Sequence, residues 1–132
     1  MRHKKILFGL SILAFCLFAW DLFWWALGVK PLLPYQLKAG LKNNPERFAL
    51  IDVRTHPEYE LFHINGAKHR PELRRHPELF QNSSKPLVVI CMTGHRSSIV
   101  AYQLKKRVHQ EVYNLTWGML GWFLSGGDIR AD

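Results

Sequence analysis

The pattern of apolar and polar positions divides the chain in two. From Ile6 to Val29 the sequence reads ILFGLSILAFCLFAWDLFWWALGV, apolar almost throughout, with Asp21 as its one charge. As a helix this run reaches about 36 Å, enough for a hydrocarbon layer of about 30 Å. It follows the basic start MRHKK and stops at Lys30 and Pro31. A cleaved signal peptide shares that start, but no A-x-A-like site follows the run. A lipoprotein would use Cys16, yet the bulky Phe15 precedes it where a small residue is expected. The pattern therefore predicts an uncleaved single-pass anchor over residues 1–30. Residues 6–29 are expected in the membrane, with Trp20, Trp24 and Trp25 as an interfacial belt. Asp21 lies off-centre and is expected to reach the headgroup region, where its burial is cheaper than at the bilayer centre. Positive groups on the two sides of the run nearly balance. The compact N-terminal cluster tilts the orientation toward N-terminus inside and domain extracytoplasmic.

Beyond residue 31 short apolar runs alternate with helical patterns. Tyr35 to Leu41 predicts a short helix with Leu37 and Leu41 on one face, broken at Asn43, Asn44 and Pro45. Phe48 to Val53 and Pro86 to Cys91 are apolar runs of strand length, and Val112 to Leu115 is a further strand. Pro57 to Phe62 predicts a helical turn, HINGA a turn with a short extended piece, and Pro71 to Phe80 one or two short helices interrupted by Pro77. Ser97 to Val108 carries Ile99, Val100, Leu104 and Val108 at helical spacing. Gly118 to Leu124 predicts a last short helix closed by Gly126 and Gly127. No internal repeat or low-complexity tract is present. Wholly apolar strands alternating with helices imply a small α/β domain over residues 31–132, a doubly wound parallel sheet with helices on both faces.

Composition adds little to this picture. The 132 residues carry a formal net charge of +8. The positive residues are scattered, with no basic helix stripe and no aromatic-spaced RNA motif, which argues against a nucleic-acid partner. The two cysteines, Cys16 and Cys91, lie in different environments, so no disulfide framework is expected. No metal ligands stand at recognised zinc spacing, and no phosphate-binding glycine motif is present.

Chemistry concentrates at Cys91. In parallel α/β sheets the ligand site lies beyond the carboxyl ends of the strands, and Cys91 ends the strand Pro86–Cys91. It is followed by MTGHRSS and then a helix. Gly94 lets the backbone curl, and a curled turn aims successive N–H groups inward as an anion-binding nest. Ser97 or Ser98 is expected to cap the helix, whose N-terminus adds partial positive charge, and Arg96 adds a full one. Each of these favours an ionised sulfur, which is the nucleophilic form. The competing reading is an inert, buried cysteine.

With these residues in view, the soluble part, about Leu37 to Ile129, resembles the rhodanese domain, the sulfurtransferase fold. LIDVRTHPEYELFHINGAKHRP is similar to that family's first signature, CMTGHRS to its active loop, and NLTWGMLGWFLSGGDI to its closing segment. The resemblance implies that Cys91 carries the transferred sulfur as a persulfide and that the amides of Met92, Thr93, Gly94, His95, Arg96 and Ser97 cradle its charge. It implies that Arg96 and His95 attract a small anionic donor or a protein persulfide. Asp52 and Arg54 would be structural, with Arg54 reaching Glu58. Neither a metal nor an organic cofactor is implied. Two positions depart: Phe62 stands where the family usually has Gly before His-Ile, and Trp117 where a Gly is common before Gly118. A cysteine phosphatase or arsenate reductase is the rival enzyme. Its loop is wider, with Arg six residues after Cys, whereas Arg96 is five after Cys91 and suits a single sulfur atom. A membrane-tethered interaction domain that makes no use of Cys91 is the non-enzymatic alternative.

Overall fold

The computed structural model describes residues 2–131. Helix α1 (Arg2–Ala26) leads into strand β1 (Lys30–Leu32), helix α2 (Pro34–Asn43) and strand β2 (Ala49–Asp52). Helix α3 (His56–Leu61) and the short strands β3 (His63–Ile64) and β4 (Lys68–His69) follow. Two 3₁₀ turns, Pro71–Arg74 and Pro77–Leu79, precede strand β5 (Leu87–Ile90). Helix α4 (His95–Lys105), strand β6 (Val112–Leu115), helix α5 (Gly118–Leu124) and strand β7 (Ile129–Arg130) complete the chain. The main sheet has five parallel strands in the order β1-β6-β5-β2-β4, and β3 pairs antiparallel with β7 in a small second sheet. The predicted α/β fold with a parallel sheet is thus the observed one.

The sheet is buried on both sides, as its apolar strands require. All four residues of β5 are fully enclosed. Their side chains alternate between two apolar clusters. Leu87, Val89 and Cys91 pack with Val100, Ala101 and Leu104 of α4, and Val88 and Ile90 pack with Leu37 of α2 and Met119 and Trp122 of α5. This period-two division is what a central strand between two helical layers produces.

Element boundaries moved by one to three residues. α4 starts at His95, two residues earlier than the hydrophobic spacing suggests, because Gly94 takes φ +87° and lets the chain enter the helix straight from the loop. It stops at Lys105, before Val108. The span Pro71 to Phe80 forms two 3₁₀ turns rather than α-helix, each opened by a proline. Strand β1 had no signal of its own in PLLP; it forms by adding to the edge of the sheet beside β6.

Helix α1 holds the least expected packing. It is long and apolar enough to cross a membrane, and most of it is exposed. Its last turns, however, lie on the domain. Trp20 Nε1 donates to Ser98 Oγ at 3.2 Å, the Trp24 and Tyr102 rings are 5.7 Å apart, and Lys105 Nζ donates to the Leu27 carbonyl at 3.2 Å. Trp20 and Trp24 therefore pack against α4, while Trp25 stays exposed. Of the expected belt of three tryptophans, two belong to the domain surface. Asp21 is half-buried beside the same helix and interacts electrostatically with His95.

Leu104 sits at the centre of the α4 packing with no exposed surface. Leu104→Ala is expected to cost about 2–5 kcal/mol, the range for truncating an enclosed leucine, read as a lower midpoint in urea unfolding with an unchanged slope.

Candidate active site

The chain leaves β5 at Ile90 and curls through residues 91–94 before α4 begins. The Gly94 N–H donates to Cys91 Sγ at 3.1 Å, and Ser97 Oγ lies 3.2 Å from the same sulfur. Ser97 also donates to Asn114 Oδ1 at 2.6 Å, and Asn114 Nδ2 donates to the Gly94 carbonyl at 3.0 Å. Asn114 projects from β6 and is buried, as is Ser97. A buried side-chain amide is tolerated because its polar atoms are bonded, and here those bonds fix both ends of the curl.

The turn after β6 holds the loop from below. The Met119 N–H donates to the Cys91 carbonyl at 2.9 Å and the Leu120 N–H to the Met92 carbonyl at 3.0 Å. A Cβ at Gly118 would stand 2.3 Å from the Cys91 carbonyl oxygen, so the two backbones approach this closely only with glycine there. Trp117 takes φ +59°, the one positive value among described non-glycine residues. This is the position where the family commonly has glycine, and Trp117 keeps the left-handed backbone despite its side chain. Phe62, the other departure, has φ −169°, an extended conformation open to any residue.

Arg96 lies beside the Cys91 sulfur and reaches from the loop to α3. Its Nη1 and Nη2 donate to the two Glu58 carboxylate oxygens at 3.1 and 2.6 Å. Glu58 also accepts from the Thr55 N–H at 2.9 Å and from Thr55 Oγ1 at 2.6 Å at the start of α3. The bidentate Arg96 contact, helped by Thr55, holds the Glu58 carboxyl down at about 2. The same pairing, with a smaller contribution from the Cys91 sulfur, pushes the Arg96 guanidinium up. The loop is thus tied to α3 by a charged clamp, an arrangement that was not foreseen in the sequence. The T-x-x-E spacing of Thr55 and Glu58 was its visible signal.

Asp52 and Arg54 are wholly buried and form one unit. Arg54 donates through Nε and Nη2 to Asp52, with Nη2–Oδ2 at 2.8 Å, and to the carbonyls of Glu58 and Phe62 at 2.9 and 2.6 Å. Arg54 therefore does reach Glu58, but at its backbone, leaving the carboxylate to Arg96. Fully bonded, this ion pair fixes α3 against the end of β2; a lone charge left there would be strongly destabilising.

The remaining expected site residues form the rim. Thr93 is exposed, and its Oγ1 lies 3.0 Å from His95 Nδ1, while the His95 ring packs 5.3 Å from Trp20. Met92 is half-buried. Two expectations need correction. Neither Ser97 nor Ser98 caps α4: Gly94 occupies the cap position, Ser97 turns in to the sulfur and Asn114, and Ser98 Oγ bonds the His95 carbonyl at 2.7 Å. Of the six amides expected to cradle the sulfur, Gly94 supplies the hydrogen bond to it. Cys91 has no exposed surface and packs in the apolar cluster with Val89, Val100 and Ala101. Among the described residues, no three His, Cys, Asp or Glu side chains converge as a metal site requires.

Comparison with known proteins agrees with this geometry. Residues 33–125 match the Rhodanese-like domain, and the chain belongs to that family. It is 33% identical to the uncharacterized protein YqhL of Bacillus subtilis over 78% of this chain and 77% of that one. It is 36% identical to YrkF of the same organism, a proposed sulfur carrier, over 61% of this chain and 44% of that one. Among solved structures it resembles a thiosulfate sulfurtransferase from Pseudomonas aeruginosa (TM-score 0.64, 25% identity, 78% of this chain and 20% of that one). It also shares its fold with a protein from Rhodopseudomonas palustris described as a possible tyrosine phosphatase (TM-score 0.70, 21% identity, 77% and 85% covered).

The clamp has a pH signature. A carboxylate held near 2, against 4.5 ordinarily, stabilises the fold fully above pH 4.5 and loses that contribution as pH falls toward 2. Wild-type protein should therefore be more stable than Glu58→Gln at pH 6, with the gap closing between pH 4.5 and 2. Urea midpoints of both proteins across that range check this.

Proposed function

We propose that the protein is a sulfurtransferase that carries sulfane sulfur on Cys91. The observation that carries this reading is the sulfur at the carboxyl end of the central strand, met by the Gly94 N–H at 3.1 Å and Ser97 Oγ at 3.2 Å. The Gly94 N–H so placed favours negative charge on sulfur in the thiolate and in the persulfide alike, while the Ser97 proton goes to Asn114 Oδ1. Family membership and the proposed sulfur-carrier relative support the same reading.

The reaction is a double displacement. Cys91 thiolate attacks the outer sulfur of thiosulfate or of a persulfide. A new S–S bond forms, the donor's S–S bond breaks, and sulfite or a thiolate leaves with the bonding electron pair. A thiophilic acceptor, cyanide or a thiol, then attacks the terminal sulfur and returns Cys91 to the thiolate. Arg96 is engaged by Glu58, so His95 and the loop amides supply the first attraction for the anion. Because the sulfur has no exposed surface, each transfer requires the structure around it to open. Helix α1 would tether the domain to a membrane as a single-pass anchor.

Full burial of Cys91 is the one observation favouring a non-catalytic interaction domain. Intact-mass measurement of the full-length protein after incubation with thiosulfate separates the readings. A gain of one sulfur atom is expected, reversed by dithiothreitol, retained in Cys16→Ser and absent in Cys91→Ala. An unchanged mass would overturn the proposal, and a phosphate adduct after exposure to an aryl phosphate would replace it with the phosphatase reading.

A further inference from the structure

The contacts between α1 and α4 advance together along both helices. Trp20 meets His95 and Ser98, Trp24 meets Tyr102, and Leu27 meets Lys105. The two helices are therefore parallel. Because α4 starts at the cysteine loop and runs away from it, α1 followed back toward its N-terminus passes the loop and leaves the domain on the loop side. The apolar part of α1 thus rises from the face that carries Cys91.

Length then places the lipid. Ile6 to Phe18, the apolar stretch free of the domain, covers about 20 Å of helix, short of a hydrocarbon layer of about 30 Å. Lys4 and Lys5 can snorkel at the far end, but the near interface still has to come down to the level of Trp20 and His95. The domain offers an apolar surface at that end. Helix α5 starts against the loop, with its Leu120 N–H on the Met92 carbonyl, and buries Gly118, Met119, Gly121 and Trp122. Its other face, Leu120, Phe123 and Leu124 with Trp117 before them, is exposed. These are large side chains of the kind that enter a membrane interface.

We infer that the domain rests with its loop face on the bilayer, α5 docking its exposed apolar face in the headgroup layer, so that the loop over Cys91 faces the lipid interface and its opening lets Cys91 exchange sulfur with donors or acceptors that reside there. This builds on the proposed anchor and sulfur-carrier roles.

Full-length protein with Cys16→Ser and Cys91→Ser would carry one new cysteine at a time, Leu120→Cys, Leu124→Cys or His109→Cys, each labelled with bimane. Position 109 lies beyond the far end of α4, and Ile12→Cys reports on insertion. In phosphatidylcholine–phosphatidylglycerol vesicles with lipids spin-labelled near the headgroup, quenching at 120 and 124 should exceed that at 109 several-fold. Quenching at 12 should be strongest with mid-chain spin labels. Equal, weak quenching at 109, 120 and 124 would overturn the inference, as would absence of quenching at 12. Neither outcome depends on sulfur transfer, which the mass experiment reads in detergent without lipid.

Discussion

The site depends on one close approach, that of the Cys91 curl to the turn between β6 and α5. Two backbones meet there at a distance that excludes a side chain at Gly118, and Met119 and Leu120 give their N–H groups to the carbonyls of Cys91 and Met92. Those N–H groups belong to the first turn of α5, where a helix has no internal acceptor for them. The carbonyls belong to a loop with no strand partner. Each supplies what the other lacks, and the curl so held turns the Gly94 N–H toward sulfur. Asn114, one strand over, secures the same curl through Gly94 and Ser97. The helix-cap geometry, the close glycine contact and the position of Sγ are one arrangement.

The second layer of control lies outside the loop. Buried Asp52 and Arg54 hold α3 through the carbonyls of Glu58 and Phe62, and α3 presents Glu58 to Arg96. The charged clamp thus rests on a buried charged pair. Cys91 packs in the apolar cluster beneath α4, and the loop that follows it is tied to α3 by an ion pair at the rim.

Much of this was legible in the sequence. Apolar strands of five or so residues between helical patterns specify a parallel sheet, and the sheet places Cys91 at its productive end. Gly94 marked the curl, and the order of three segments marked the family. What escaped reading depends on partners distant in sequence. Asn114 in VYNL looks like an ordinary strand position until β6 is placed beside β5. Ser97 has the composition of a helix cap and turns inward because Asn114 is there. Glu58 reads as the third residue of a helix start, and only the fold brings Arg96 to it. Hydropathy placed residues 6–29 in the membrane with Trp20 and Trp24 in its interface, because tryptophan is equally suited to that belt and to packing on α4.

The central claim is that Cys91 passes sulfur on by carrying it covalently. Initial rates with thiosulfate and cyanide varied together test it most directly. The account predicts a family of parallel double-reciprocal lines in the wild-type protein and no rate above background in Cys91→Ser. Intersecting lines, or a rate that survives Cys91→Ser, would show transfer without a carrier on that sulfur and would contradict the account.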